Sequence, residues 1–166
     1  ANYRVAMYYL KGRYCMYLPI TAANEGSKGG LVYDLSITLR SHSGQAWNLE
    51  WAYFSKEDPA SDYAWIDGDR ASPLYVHGNS AVQTTVKFVA ADDPLEGKSN
   101  VVFTPGVFEL QVGYREKQGG KARVQIYSFV VKENDREALE HRRVEPENNQ
   151  TYFFGLREGA KGEAIA

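Results

Sequence analysis

Alternation of apolar and polar side chains runs through most of the first 131 residues, and it restricts the fold more than any other feature. Successive side chains of a β-strand point to opposite faces, so a period of two indicates a strand with one buried face. The alternation is clearest in residues 31–40, 47–53, 82–88 and 108–114. No helical period competes with it in this stretch, which is therefore predicted to be a β domain.

Turn-forming residues separate these segments. Pro105-Gly106 precedes one strand, and residues 117–120, which include two glycines, lead into a last strand that begins at Val124. Lys11-Gly12 lies between two apolar runs, a pattern that fits either a tight hairpin or one long strand with a glycine bulge. Short strands spaced by turns predict an all-β fold, an antiparallel two-sheet sandwich over residues 1–132.

A resemblance to a known architecture lies in two of these strands. Residues 105–115, Pro-Gly-Val-Phe-Glu-Leu-Gln-Val-Gly-Tyr-Arg, followed by a short loop and residues 124–131, resemble the last two strands of immunoglobulin-like and fibronectin-type domains. Trp51 is similar in placement to the core tryptophan of that architecture. The resemblance covers roughly residues 28–132 and implies an immunoglobulin-like sandwich. The inter-sheet cysteine pair of antibody domains is missing, because Cys15 is the only cysteine.

The sequence changes character after Lys132. Asn134 and Glu137 have the spacing of a capping box, which predicts a short helix over residues 136–144 that stops before Pro146. The remaining tail is polar apart from one aromatic segment, and residues 159–166 have a composition that predicts mobility. We therefore divide the chain into a sandwich, residues 1–132, and a helix with an extended C-terminal tail, residues 133–166.

The aromatic segment of this tail is the strongest candidate for binding a partner protein. Tyr152, Phe153, Phe154 and Leu156 are large apolar residues in polar surroundings. Such a segment either folds back on its own sandwich or adds a strand to the exposed sheet edge of a partner. We predict that these residues bind a partner. The strand at 124–131 ends with apolar residues on both faces, so something is expected to cover that end.

A second candidate site lies in the long connection at residues 55–80. Tyr63, Trp65 and Tyr75 could stack on sugar rings beside Asp67, Asp69 and Arg70, which would make a glycan platform. Tyrosine and tryptophan are also common anchors of protein interfaces. A third interpretation is purely structural, with these rings covering the open end of the sandwich.

Other function classes find little support in the sequence. No motif of nucleophilic catalysis, zinc hydrolysis or phosphate binding is present. Asp67-Gly68-Asp69 has oxygen ligands at a spacing that a calcium loop could use, but it lacks the full twelve-residue pattern with its closing Glu. We therefore expect no metal and no cofactor. With 19 Lys plus Arg and 21 Asp plus Glu, the net charge is −2, which argues against nucleic acid as a partner. No apolar run is long enough to span a membrane as a helix.

These observations lead to a functional expectation. The chain is predicted to be a non-catalytic interaction protein, an accessory or structural subunit of a larger extracytoplasmic assembly of protein subunits. The alternative is a carbohydrate-binding module. The extracytoplasmic location rests on the glycosylation pattern Asn149-Gln150-Thr151 and on a sequence that starts at Ala1. Removal of a signal peptide explains that start, and so does loss of an initiator methionine before a small residue.

Overall fold

The computed structural model describes residues 3–57, 65–91, 98–117, 119–145, 147–148 and 150–163. Antiparallel strands dominate, and one α-helix interrupts them. The strands are β1 Arg4–Leu10, β2 Arg13–Asn24, β3 Gly30–Val32, β4 Asp34–Ser41, β5 Ala46–Glu57, β6 Trp65–Arg70, β7 Leu74–Val76, β8 Ser80–Ala90, β9 Gly106–Arg115, β10 Arg123–Val131, β11 Tyr152–Gly155 and β12 Arg157–Glu163. The helix is α1 Glu133–Val144.

The first hairpin resolves the ambiguity at Lys11-Gly12. Strands β1 and β2 pair directly, with Leu10 opposite Arg13. Lys11 and Gly12 have positive φ values of 50° and 78°, and positive φ at both central residues is what a two-residue type I′ turn requires. A tight hairpin therefore joins the two strands, and no glycine bulge is present at this point.

The main sheet contains ten strands and is nearly closed. Its order is β11-β1-β2-β8-β5-β4-β9-β10-β12, with β6 added beside β5, while β3 and β7 form a separate two-stranded sheet. All pairs in both sheets are antiparallel. An all-β fold with one short helix is thus confirmed. The predicted division into two sheets is not confirmed. The β4–β5 hairpin continues the hydrogen bonding from one side of this barrel-like sheet to the other.

The C-terminal segment lies in the gap between β1 and β10 and adds one strand to each of them. β11 pairs with β1, placing Gly155 opposite Arg4, and β12 pairs with β10. Between them, the Leu156 amide donates a hydrogen bond to the Tyr3 carbonyl oxygen (2.8 Å). The ring of Tyr3 also stacks on Tyr127 of β10, with centroids 5.2 Å apart. We call this junction of β1, β10, β11 and β12 the seam.

One hydrophobic core fills the interior. It is built from the inward-facing side chains of the sheet, from Val101 and Phe103 in the connection before β9, and from Leu139 of the helix. Its aromatic centre consists of Phe103, Phe108, Phe129 and Phe154, with neighbouring ring centroids 4.8–6.4 Å apart. This core explains the alternation in the sequence, since every second residue of β4 and β9 points into it.

Several predicted element boundaries differ from those observed. The alternating run at 31–40 is split at Tyr33, because β4 stays in the main sheet beside β9 whereas β3 leaves it to pair with β7. The helix begins at Glu133, earlier than predicted, with Lys132 in the N-cap position expected of Asn134. The Asp135 carboxylate accepts a hydrogen bond from the Lys132 amide (2.8 Å), the role expected of Glu137. The tail was predicted to be mobile from residue 159, but β12 pairs with β10 as far as Glu163, because β10 offers an unpaired edge there.

Candidate functional site

On the face of the sheet that points away from the core, a cluster of polar and aromatic side chains is nevertheless buried. β1 and the first half of β2 are buried on both faces, and so is β8 at residues 86–88. The outward-facing residues Ala6, Tyr8, Cys15 and Tyr17 of β1 and β2 form a second small hydrophobic cluster, against which Val89 of β8 packs. The sequence contains a signal for this second layer, since residues 5–10 are continuously apolar and do not alternate.

Lys87 lies at the centre of this outer cluster. Strand pairing places Lys87 opposite Tyr17 on one side and opposite Tyr53 on the other. Its ammonium nitrogen is 5.6, 5.9 and 5.7 Å from the ring centroids of Tyr8, Tyr17 and Tyr53. At such distances a cation is attracted to the negative face of an aromatic ring. We refer to these four residues and Asp67 as the Lys87 cluster.

Asp67 of β6 completes the Lys87 cluster. The Lys87 Nζ atom donates hydrogen bonds to both carboxylate oxygens of Asp67, at 3.0 and 3.1 Å. The Lys87 side chain is only 6% exposed, whereas that of Asp67 is 40% exposed. The Tyr17 hydroxyl also donates a hydrogen bond to Asp67 Oδ1 (3.4 Å), and the Tyr8 hydroxyl donates one to the Tyr17 hydroxyl (3.3 Å). A buried ammonium group is thus paired with a carboxylate that reaches solvent.

Burial controls the acid–base behaviour of the neighbouring groups. It raises the pKa of Tyr8 and of Tyr17 above the usual tyrosine value, because an ionised phenolate would be poorly solvated there. It also raises the pKa of the Cys15 thiol, with Lys87 acting in the opposite direction. Cys15 is a free, buried cysteine, as expected, and a buried protonated thiol is a weak nucleophile. A pocket of about 450 Å³ opens beside the cluster and is lined in part by Arg13, Arg70 and Cys15.

The structure places the aromatic tail segment on the chain's own sheet. Phe154 is buried in the core, and its ring centroid lies 4.8 Å from that of Phe129. Tyr152 and Leu156 are partly buried against the same core. Phe153 points to the opposite face of β11 and is 45% exposed. Strand addition therefore occurs within the chain, and docking of these residues to a partner stays a prediction.

The helix holds this segment in place through two residues. The Tyr152 hydroxyl donates a hydrogen bond to the Asp135 carboxylate. Arg142 places its guanidinium 5.2 Å from the Tyr152 ring centroid and donates a hydrogen bond to the Gln150 carbonyl oxygen (3.0 Å). Because Asp135 also caps the helix, the start of the helix and the start of β11 are linked through one carboxylate.

Of the three predicted loop aromatics, only Tyr75 has a described side chain. Tyr63 lies outside the described residues, as does the side chain of Trp65, whose backbone pairs with Glu57 at the start of β6. Tyr75 is 51% exposed, and its ring meets His77 edge-on at a centroid distance of 4.7 Å. The prediction on Tyr63 and on the Trp65 ring thus lies outside the described residues, and among the described side chains the sugar-binding interpretation depends on Tyr75.

In the described part of the chain, no group of three His, Cys, Asp or Glu side chains suited to holding a metal ion occurs. Among the same residues no helix is long and apolar enough to cross a membrane. No protein-family model matches the chain, and no curated protein or solved structure shows significant similarity to it.

Proposed function

We propose that the chain is a non-catalytic interaction protein, an accessory or structural subunit of a larger extracytoplasmic protein assembly. The supporting observation is an exposed apolar surface on the outer face of the sheet, beside the seam. Val107 and Val130 are directly opposed on β9 and β10, and they are 49% and 56% exposed. β-branched residues in such cross-strand pairs normally pack beneath another layer.

Phe153 extends this surface across the seam. Phe129 and Phe154 are in contact inside the barrel-like sheet, and Val130 and Phe153 are their immediate neighbours in the chain. Because adjacent strand residues face opposite sides, Val130 and Phe153 share the outer face at this level of the sheet. We call Val107, Val130 and Phe153 the seam surface. A half-exposed phenylalanine beside exposed valines is the kind of anchor that a partner protein buries.

The proposal also includes an immunoglobulin-like architecture. In constant-type immunoglobulin domains the strand orders are ABED in one sheet and CFG in the other. If β1, β2, β4, β5, β8, β9 and β10 are taken as A to G, the observed order β1-β2-β8-β5-β4-β9-β10 reads ABED followed by CFG. This correspondence supports the resemblance seen in residues 105–131. Domains of this kind commonly serve as interaction modules, although the fold alone assigns no partner.

The test compares the seam surface with a matched position elsewhere on the sheet. Native mass is measured for the full chain isolated gently from its source, as the wild type and as Val130→Asp and Gln83→Asp. Gln83 is an exposed residue of β8, far along the sheet order from the seam, and serves as the control. We expect the wild type and Gln83→Asp to co-migrate with other subunits, and Val130→Asp to bind them at least about tenfold more weakly.

Two results would contradict this proposal. One is a wild-type chain that is isolated as a stable monomer under these conditions. The other is a Val130→Asp variant that stays in the assembly while its thermal stability equals that of the wild type, because the seam surface would then make no contact with a partner.

A carbohydrate-binding module is the second candidate, and the exposed ring of Tyr75 is the observation that favours it. A flat exposed ring beside a polar loop can stack on the apolar face of a sugar. A glycan array probed with the wild type, Tyr75→Ala and Trp65→Ala tests this function. Binding that either substitution abolishes would support it, and the absence of binding to any glycan would exclude it.

A further inference from the structure

The Lys87 cluster brings an amine and a carboxyl group together, and these are the two reactants of an amide bond. The Lys87 Nζ atom lies 3.0 and 3.1 Å from the two carboxylate oxygens of Asp67, so the two groups are already in contact. We propose that Lys87 and Asp67 condense into an isopeptide bond that links β8 to β6. This inference is independent of the proposed function.

Strand pairing provides the proximity that such a reaction needs. β8 and β6 lie on opposite sides of β5 and are each hydrogen-bonded to it, so their separation is set by the sheet. Holding two reactants in contact replaces a bimolecular encounter by an intramolecular step, which can raise the effective concentration by many orders of magnitude. The link would join two strands that are not themselves neighbours in the sheet.

The surroundings of Lys87 favour the amide over the separated charges. Three tyrosine rings enclose the ammonium group, and its side chain is almost entirely shielded from water. Removing an ion pair from water has a desolvation penalty, and a neutral amide avoids it. Shielding on the lysine side also protects the product from hydrolysis, while the exposed side of Asp67 allows the released water to leave.

The reaction balances without a further reactant. One ammonium proton passes to the Asp67 carboxylate along the existing hydrogen bond, which leaves a neutral amine and a carboxylic acid. The amine nitrogen then attacks Cγ, so that an Nζ–Cγ bond forms and one Cγ–O bond breaks. The departing hydroxyl takes a second proton from the nitrogen and leaves as water, and the third proton stays on the amide. No atom is oxidised or reduced.

The mass of the intact, denatured full chain tests this proposal. We expect the wild type to be lighter than its sequence by one water molecule, and a protease digest to contain a branched peptide joining Lys87 to Asp67. Lys87→Arg should have the full mass of its sequence, whereas Lys28→Arg, the control at an exposed lysine, should keep the deficit. Asp67→Asn should be lighter by one ammonia instead, because the leaving group changes.

Other outcomes overturn the proposal. A wild-type chain with the full mass of its sequence excludes the bond. Asp67 precedes Gly68, and an Asp-Gly succinimide has the same mass deficit, so hydroxylamine treatment must follow. Cleavage of the chain at residue 67, or a deficit that persists in Lys87→Arg, would assign the lost water to the succinimide and not to an isopeptide bond.

Discussion

Tyr9 and Tyr14 face each other across the first hairpin, and their rings meet edge to face at a centroid distance of 5.4 Å. Their hydroxyl groups are in different situations. The Tyr9 hydroxyl donates a hydrogen bond to the Val101 carbonyl oxygen (2.8 Å). The Tyr14 hydroxyl is fully buried and has no hydrogen-bond partner in the described residues. An unpaired buried hydroxyl loses its hydration without compensation.

This difference predicts opposite effects of the same substitution. Tyr14→Phe removes an uncompensated polar group, and we expect the free energy of unfolding to rise by up to about 1 kcal/mol. Tyr9→Phe breaks a satisfied hydrogen bond and leaves the Val101 carbonyl unpaired, so we expect a loss of about 1 kcal/mol. Urea denaturation of both variants measures this. A larger loss in Tyr14→Phe than in Tyr9→Phe would show that the Tyr14 hydroxyl has a partner.

Lys87 shows what a sequence pattern cannot resolve at the scale of single residues. In the alternating run at 82–88, Lys87 occupies the polar face and is therefore predicted to be exposed. The side chain is buried instead, because β1 and β2 carry tyrosines on their outer face and β6 brings Asp67 over from across β5. Asp67 was considered as a calcium or glycan residue. Its partner lies twenty positions along the chain, and no local pattern indicates that contact.

At the scale of elements, the β1–β2 hairpin concentrates buried tyrosines. Burial raises the pKa of Tyr8, Tyr9, Tyr14 and Tyr17 above the usual tyrosine value. In the unfolded chain these groups would release their protons near pH 10, roughly the pKa of a solvated tyrosine. The folded hairpin keeps them protonated at that pH, so the folded state binds more protons than the unfolded state.

The sign of the pH dependence follows from these raised pKa values. Below about pH 10 both states are protonated, and the full stability contribution is present. Above it, the unfolded state loses protons that the folded state retains, so the free energy of unfolding should fall as the pH rises. Urea denaturation between about pH 8 and about pH 11 measures this decline. A stability that is constant over that interval would mean that these hydroxyls reach solvent in the folded protein.

The positions of the strands in the chain were easier to predict than the way the strands pair within the sheet. Alternation identified β4, β5, β8, β9 and β10 because each has one face in the core and one outside. It missed the break at Tyr33, where the chain passes from pairing with β7 to pairing with β9. The start of α1 was also misplaced, because the residue that accepts the capping hydrogen bond is Asp135, which the capping-box pattern did not select.

At the scale of the whole molecule, the position of the tail differs most from what the sequence predicts. Composition predicted an extended segment that either docks to a partner or folds back, and it could not decide between them. The structure adds β11 and β12 to two different edges of the same sheet. That arrangement depends on the distance between β1 and β10, a property of the assembled sheet that no local pattern contains. The sequence indicates Phe153 and the apolar end of β10 separately, but that they share one surface with Val107 was unpredictable for the same reason.

Adjacent phenylalanines in β11 separate the structural role of the tail from an interaction role. Phe154 fills the core beside Phe129, so we expect Phe154→Ala to lower the free energy of unfolding by about 3–5 kcal/mol. Phe153 lies on the exposed face, and Phe153→Ala should change the free energy of unfolding by less than about 1 kcal/mol. Thermal or urea denaturation compares the two variants. Equal losses would contradict the alternating orientation of β11.

The closure of the seam also has a consequence for how the chain reaches its native state during synthesis. Arg4 in β1 pairs with Gly155 in β11, so this contact joins residues from nearly opposite ends of the described chain. A ribosome releases β1 long before it has made β11, and until then β1 has only β2 as a neighbour in the sheet. Contacts of such high sequence separation form slowly, because a long loop must close first. The nascent chain therefore carries an open β1 edge for most of its translation, and a chaperone that shields this edge would act before residue 155 emerges.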